Sequence, residues 1–562
     1  MNDLLPRADE LVPFAPEIVL LLAMLAVLVV PMFFKRKHIL QAAIAAAASV
    51  GVTLLAAIYA RAPAVEHPAS YFGGLLLHDP FGWAVKMLLI GGACVVMALW
   101  FTDSHDKFIR RRQTQDAPEF FMLLLAATLG FCLMASSTHL LTIFLAIEIS
   151  SLPTYALIAF RKGHRSAARS VMKFILVGCA STALMLYGMS LLYGLFGTLD
   201  LQQIGTTLTE KKWQLQSHGP KGFLFAIGIL CLLIGPAFKI AIAPLQTWFA
   251  DVSGSSTIDV ATFLSVASPT AGLALLMRIL FAVTGPGGAV GDRRWLGVLV
   301  LIFGAASAMW AAFAALRQTN IKRLLAWSTL AHAGFILVAM VGILLPACPG
   351  RNAAVLGPTL VASPPAEALL FYLFTLLFMN GGAFVSAAAI AQRLTGPVDA
   401  GMSLGVERFT PAAPPPVPAG PPSATGEELR EYAGLSRRAP ILAALMLLCL
   451  LSLCGMPLTI GFAGRMKLLG ILFECGLLGW IGIAAIALGS LVLAVAYFRV
   501  IRQIYLVETD APHPIEIAPV TLVALVLVVP NVFLFIAYST IDRQTQRHAQ
   551  LLSPSSAESN NR

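Results

Sequence analysis

Six ionisable side chains stand in or at the edge of long apolar stretches, and their types are those that hold and pass protons. Glu148 interrupts Leu140-Leu-Thr-Ile-Phe-Leu-Ala-Ile-Glu-Ile-Ser, Lys239 closes an apolar run just after Gly235-Pro236, and His332 lies deep in another. Lys173 follows Arg169 by one helical turn, and Arg465 and Lys467 follow Gly455-Met456-Pro457, Gly461 and Gly464. In hydrocarbon an ionised carboxylate costs at least about 2.5–3.5 kcal/mol on insertion scales, so each such group must pair, neutralise or face water. A lysine in a low-dielectric site can exist neutral and so take and give a proton, and an imidazole does so near neutral pH. An acid, amines and an imidazole on separate apolar segments therefore suggest a proton wire. Plainer roles stay open for each: Glu148 in a structural ion pair, Lys173 snorkelling to the interface, His332 as a hydrogen-bonded core side chain.

These residues need membrane helices to hold them, and the composition supplies the segments. Of 562 residues 58% are hydrophobic and 12% charged, where a soluble chain carries roughly a quarter charged. Mean hydropathy is +0.82. Apolar runs long enough to span, about 20 residues each, recur fourteen times: 17–34, 38–60, 79–102, 120–136, 138–160, 170–195, 222–243, 259–283, 295–316, 323–345, 366–391, 440–463, 470–501 and 516–540. The segment before Pro16 has no basic region or small-residue cleavage site, so the first run reads as a retained span. The fold expected is an all-α polytopic membrane protein of about fourteen transmembrane helices. The seventh and twelfth look broken, at Gly235-Pro236 with Pro244 and at Gly455-Met456-Pro457. Paired broken helices at corresponding places mark ion sites in transporters built of inverted repeats. The expected organisation is three N-terminal helices over 1–116, a five-helix repeat over 117–284, an inverted second repeat over 285–505, and a last helix with its tail over 506–562. A proline-rich segment near 397–436 interrupts the second repeat and reads as a linker, with docking as the other possibility.

The formal charge of +10 is a topology signal and not a nucleic-acid surface. With the N-terminus outside, the inner connections collect most of the Lys and Arg, including Lys35–Lys37, Arg110–Arg112, Arg161-Lys162 and Arg437-Arg438, as the positive-inside rule requires. An even helix number returns the C-terminus to the outside. The eight cysteines form no C-x-x-C pair and read as small buried hydrophobes, leaving no iron–sulfur spacing, and no phosphate-binding glycine loop is found.

Several of these stretches resemble one family. Glu148-Ile-Ser-Ser-Leu-Pro-Thr-Tyr-Ala-Leu-Ile-Ala-Phe resembles LELxSLPLYxLxAF, and Gly235-Pro-Ala-Phe-Lys-Ile-Ala resembles GxxFKxxxxPFHxW. Arg317-Gln-Thr-Asn-Ile-Lys-Arg-Leu-Leu-Ala-Trp-Ser-Thr-Leu-Ala-His-Ala-Gly resembles RQTNxKRLLAYSSIAHAG. Phe371-Tyr-Leu, Met379-Asn-Gly-Gly-Ala-Phe, Tyr432-Ala-Gly-Leu-Ser-Arg-Arg-Ala-Pro and Gly455-Met-Pro-Leu-Thr-Ile-Gly-Phe-Ala-Gly continue in order. The pattern is similar to the antiporter-like membrane subunits of NADH:quinone oxidoreductase (respiratory complex I), and among them to subunit N. It is shared more loosely by multisubunit sodium/proton antiporters.

The resemblance implies redox-driven proton translocation in a bacterial inner membrane. Glu148 and Lys173 would be coupling charges, Lys239 the central carrier and His332 the link between half-channels. Arg465 or Lys467 would then stand on the outward side. It implies no cofactor on this chain; NADH, flavin, iron–sulfur clusters and quinone belong to other subunits. The partners implied are neighbouring membrane-arm subunits and lipid, not nucleic acid. The family's eighth-helix lysine is Pro269 here, its twelfth-helix lysine is Arg465, its PFHxW histidine is Gln246, and the glutamate before Lys173 is Arg169. One expectation is that Pro269 opens its helix and lets water reach Ser265, Ser268 and Thr270, while Arg465 acts as a fixed charge. The rivals are a cation/proton antiporter subunit and a structural subunit that moves no ions.

The expected orientation is testable by single-cysteine labelling. In a cysteine-depleted chain, Val417→Cys should react with an impermeant thiol reagent only from the cytoplasmic face. Strong labelling in sealed cells from outside would invert the topology.

Overall fold

A computed structural model describes residues 12–33, 50–58, 69–110, 117–160, 165–209, 219–284, 294–344, 364–394, 426–508 and 519–535. Most of the run 38–60, the basic clusters Lys35–Lys37 and Arg161-Lys162, and the proline-rich 411–425 lie outside these residues. Among the described residues the chain is helical apart from one small hairpin, β1 (Ala69–Tyr71) paired antiparallel with β2 (Leu76–His78). Ten helices among the described residues are long and apolar enough to cross a bilayer. They include α2 (Pro80–Arg110), α3 (Ala117–Ser136), α4 (Leu140–Ala159) and α5 (Arg165–Phe196). The amphipathic α6 (Leu201–Thr209) then precedes α7 (Pro220–Ile240). Shorter apolar helices lie near both ends, among them α1 (Ala15–Phe33). The architecture is that of a polytopic membrane protein, because a helix satisfies its own backbone groups where water is absent.

The first break lies beyond the place the sequence suggested. Helix α7 runs straight through Gly235-Pro236 and ends at Ala241, in the left-handed region with φ 59°. Pro236 removes only one backbone donor, and the helix continues past it. The stop comes from the Ala241–Pro244 segment, since the residue before a proline avoids helical angles. Ile242 N bonds Ala237 O at 3.0 Å and Ala241 N bonds Phe238 O at 3.1 Å, a Schellman closure. The chain resumes as α8 (Thr247–Ser255) and then α9 (Ile258–Thr284).

Pro269 does not open α9, which continues unbroken through it. The hydroxyls expected to meet water are turned onto carbonyls: Ser265 onto Thr262, Thr270 onto Val266 and Ser268 onto Lys239. Helix α9 is almost wholly buried, and so is α11 (Ile321–Ala339), which the short α12 (Val341–Leu344) extends. These two central helices carry the others. Helix α9 packs on α2, α3, α7 and α13 (Pro364–Leu394). Helix α11 packs on α10 (Arg294–Leu316) and α8. Small residues allow close approach: a Cβ on Gly334 would meet Ala308 N of α10 at 2.7 Å.

The N-terminus of α11 is clamped by a segment distant in sequence. Asn320 caps the helix by accepting from Lys322 N and Arg323 N, and Ile321 N and Leu429 N exchange bonds with Glu427 O and Thr319 O. Buried Lys322 pairs with Glu427 at 2.7 Å and donates to Ser256 O at the end of α8. A 3₁₀ turn over Leu429–Tyr432 follows. Burial, then the charges of Glu431 and Glu427, push the Tyr432 phenol well up, so it stays a donor, here to Gly426 O. After α14 (Leu435–Arg438) comes the second broken element. Helix α15 (Pro440–Cys454) ends in the same closure as α7, with Met456 N on Leu451 O and Gly455 N on Ser452 O, both at 3.0 Å. The half-helix α16 (Ile460–Phe473) leads to the long α17 (Gly476–Tyr505), with α18 (Val520–Val528) last.

The cysteine expectation needs one correction, because Cys475, between α16 and α17, is disulfide-bonded. Six others are free.

Buried ion pairs fix helices outside the broken elements. Arg278 of α9 meets Asp79 at 2.5 Å, their side chains 4% and 1% exposed, and donates to Ala135 O of α3. Removing one member of such a pair costs about 3–5 kcal/mol, whereas an exposed pair contributes about 0–1 kcal/mol. Arg278→Met should therefore lower the thermal stability of the solubilised protein sharply, and adding Asp79→Asn should restore part of it. Arg437→Ala, which breaks the exposed pair with Glu508, should leave the melting curve unchanged.

Candidate functional site

Lys239 stands two residues before the first break and is 1% exposed. Helix α9 closes on it at Gly272, where an added Cβ would lie 3.1 Å from the Lys239 Cβ, and Ser268 holds the Lys239 carbonyl at 2.8 Å. The ammonium projects over the Phe131 ring of α3, 5.4 Å from its centroid. Among the described residues no carboxylate pairs with it; Glu148 is the acid whose field reaches it. Glu148 is half-buried on α4 and accepts from Thr182 Oγ1 at 2.8 Å. It borders an outer face of exposed Leu141, Leu145, Ile149 and Leu152. A lone buried amine beside opened backbone, with an acid in electrostatic reach, is suited to reversible proton loading.

The second cluster gathers around His332 on α11. Its Nδ1 lies 2.8 Å from the Tyr372 hydroxyl of α13, and the Arg465 charge reaches that hydroxyl. The other ring nitrogen of His332, Nε2, is buried without a hydrogen-bond partner. Arg465 is in the half-helix after the break, not before it as Lys239 is. Its guanidinium donates to Leu453 O and Cys454 O, the orphan carbonyls at the end of α15, and faces the Phe335 ring at 5.7 Å. Its charge is committed to closing that helix end.

Lys173 and Lys467 are held elsewhere. Lys173 is exposed and pairs at 2.6 Å with Asp251 of α8, which also faces Arg323 at 3.6 Å. Lys467 pairs with Glu367 of α13 at 2.8 Å and lies over the Phe371 ring. Thus the structure brings Glu148 to Lys239 and His332 to Arg465, and leaves the other two amines in separate ion pairs. The sequence had quoted Tyr372 within a motif and given it no role, since a tyrosine in an apolar run reads as core. Thr182 and Asp251 carried no spacing signal, because their partners lie on other helices. A second buried pair, Glu17 with Lys86 at 2.6 Å, was legible only as two charges near the starts of apolar runs. No cluster of three or more His, Cys, Asp or Glu among the described residues could hold a metal.

Residues 137–344 and 359–493 match the NADH:quinone oxidoreductase/Mrp antiporter, TM family. The chain belongs to this family. Its antiporter-type segment contains all six candidate residues, whereas Glu17 and Lys86 precede it. Similar proteins include NADH-quinone oxidoreductase subunit N of Parvibaculum lavamentivorans, 31% identical over 520 residues and covering 91% of both chains. The same subunit of Desulfovibrio desulfuricans is 30% identical over 511 residues, 90% of both. The fold matches a chain of respiratory complex I from Thermus thermophilus, with a TM-score of 0.67, 23% identity and coverage of 93% of this chain and 97% of that one. It also matches a chain of an archaeal membrane-bound sulfane sulfur reductase, with a TM-score of 0.75, 18% identity and coverage of 96% and 97%. The antiporter fold thus persists although this member carries arginine at 465 and proline at 269.

The Tyr372 hydroxyl ties α11 to α13. Tyr372→Phe leaves His332 Nδ1 buried without its hydrogen-bond partner, at a cost of about 1–3 kcal/mol. The variant should fold with a lower melting temperature and couple its transport several-fold less well. Unchanged transport in a folded variant would remove Tyr372 from the path.

Proposed function

We propose that this chain is a subunit N-type component of the membrane arm of NADH:quinone oxidoreductase, and that it translocates protons through its intramembrane charges. Electron transfer from NADH to quinone, with flavin and iron–sulfur centres, takes place in other subunits. The observation that carries the proposal is Lys239, a buried amine without a paired acid at the end of a helix that breaks within the membrane region. An idle charge there is costly, and a proton-loading one has a use. Glu148, close to the exposed face of α4, senses charge in a neighbouring subunit and biases Lys239. His332 and Tyr372 form the second station. Arg465 supplies a fixed field, and Lys467 and Lys173 hold their helices through Glu367 and Asp251.

The full complement of fourteen spans and two inverted five-helix repeats, helices 4–8 and 9–13 with helices 7 and 12 broken, belongs to the same proposal. Its support is the shared closure of α7 and α15, each ending in a left-handed residue with the same pair of bonds. The proposed orientation puts both termini on the outer side of a bacterial inner membrane. Besides the basic bias of the inner connections, it is supported by the disulfide at Cys475, which falls on the outer side, where such bonds persist. The apolar outer faces of α5, α10 and α17, which expose Leu176, Trp310 and Leu491, suit lipid and adjoining membrane subunits.

Glu148→Gln and Lys239→Met should each lower NADH:quinone turnover and proton uptake several-fold in reconstituted vesicles. NADH:ferricyanide activity, which the peripheral subunits carry, serves as the assembly control. Normal coupled turnover in both assembled variants would refute the proton-carrying role.

A further inference from the structure

The second cluster lacks an outward-going base. Arg465 cannot accept a proton at physiological pH, and its guanidinium is turned onto the Leu453 and Cys454 carbonyls. A proton leaving Lys239 outward needs another acceptor, and one lies against a second face of α3. Phe131, which faces the Lys239 ammonium, is followed by Cys132, which sits in electrostatic reach of both Glu17 and Lys86. The two residues differ by one step of about 1.5 Å along the helix axis. Lys239 and the Glu17–Lys86 pair therefore flank a single turn of α3.

The pair itself is built for exchange. Glu17 is 0% exposed; its Oε1 faces Lys86 Nζ at 2.6 Å, and its Oε2 has no hydrogen-bond partner. One turn further along the Cys132 face comes Ser136, whose buried Oγ also has no partner. Lys86 and Ser136 both line a pocket with His78, Phe14 and Tyr71, which has room for about one water molecule. The hairpin covers this pocket, held at its tip where Thr138 donates to Gly74 O and where Phe72 meets Phe14 edge-on. Asp79, two turns before Lys86, pairs with Arg278 through Oδ1, and its Oδ2 is likewise without a hydrogen-bond partner.

We infer that the Glu17–Lys86 pair is a proton-release site, through which a proton from Lys239 leaves by the pocket under the hairpin. The proton lost by the Lys239 ammonium adds to Glu17 Oε2, while Oε1 stays against Lys86. Water in the pocket takes the proton, and Glu17 returns to a carboxylate paired with the Lys86 ammonium. Phe131 separates the two stations and keeps the Lys239 side from continuous contact with the outer pocket. The inference rests on the proton-translocating reading and on its orientation.

Two measurements on the reconstituted complex test it. The first compares Glu17→Gln/Lys86→Met, a neutral pair that spares the fold an unpaired buried charge, with Lys467→Met and Lys239→Met. The expected result is that the double variant loses the same share of proton uptake per NADH oxidised as Lys239→Met, and that Lys467→Met loses none. Wild-type stoichiometry in the double variant, or a loss confined to Lys467→Met, overturns release at this pair. Wild-type stoichiometry in Lys239→Met as well would instead refute proton carriage by the chain. The second measurement needs no ion-pair variant. Ser136→Cys in a cysteine-depleted chain should react with a small impermeant thiosulfonate from the outer face. Reaction from neither face overturns the site, and reaction from the inner face alone overturns the orientation and outward release with it.

Discussion

Backbone groups freed inside a low-dielectric layer have to find a partner within the protein, and this demand organises the molecule around its two breaks. At the end of α7 the Schellman bonds take up the terminal carbonyls, and the Ser307 hydroxyl accepts from Ala243 N. At the end of α15 the same bonds form, and the Arg465 guanidinium covers two more carbonyls. Each break is thereby made tolerable by groups drawn from other helices. The elements around the breaks are fixed in turn: α9 holds the Lys239 carbonyl through Ser268, and α13 holds His332 through Tyr372. The charged side chains inherit their positions from this repair of the backbone.

The same logic separates two kinds of buried charge. Arg278–Asp79 and Lys322–Glu427 have each charge set against its opposite and tie helices that meet at the ends of the bundle. Lys239, His332 Nε2 and Glu17 Oε2 are incompletely satisfied, and each stands beside a break, an aromatic ring or a pocket. Incomplete satisfaction costs free energy in the resting protein, and it is also what leaves room for a proton to arrive.

Much of the framework was legible in the sequence because it is written in composition and periodicity. Long apolar runs gave the helices, and the Gly455-Met456-Pro457 break was found at its place. Gly235-Pro236 was expected to interrupt α7 and does not, whereas Pro244, expected to close it, does stand at the stop, just past the left-handed Ala241, which no residue type announces. Pro269 was expected to open its helix, yet tight packing on four sides leaves α9 no direction in which to bend. Glu148, Lys239 and His332 stood out as charges among apolar letters. Tyr372 did not, since its hydroxyl matters only once α11 and α13 are adjacent. Arg465 was read as a fixed charge and is one, but its attachment to the α15 carbonyls depends on a turn whose geometry the letters do not display.

The clamp on α11 bears on how the chain tolerates change. Glu427, Glu428 and Leu429 grip the helix through backbone bonds and one buried ion pair, so the grip is made wholly by residues after position 425. The entropy of joining two fixed ends grows slowly with the length between them, by about 0.6 kcal/mol per doubling. The anchorage of His332 is therefore nearly indifferent to how many residues lie between α13 and Gly426. Sequence drift, insertion or an appended recognition element can accumulate in that stretch without disturbing the central helix. The molecule has a site where it can be lengthened next to one where it cannot move.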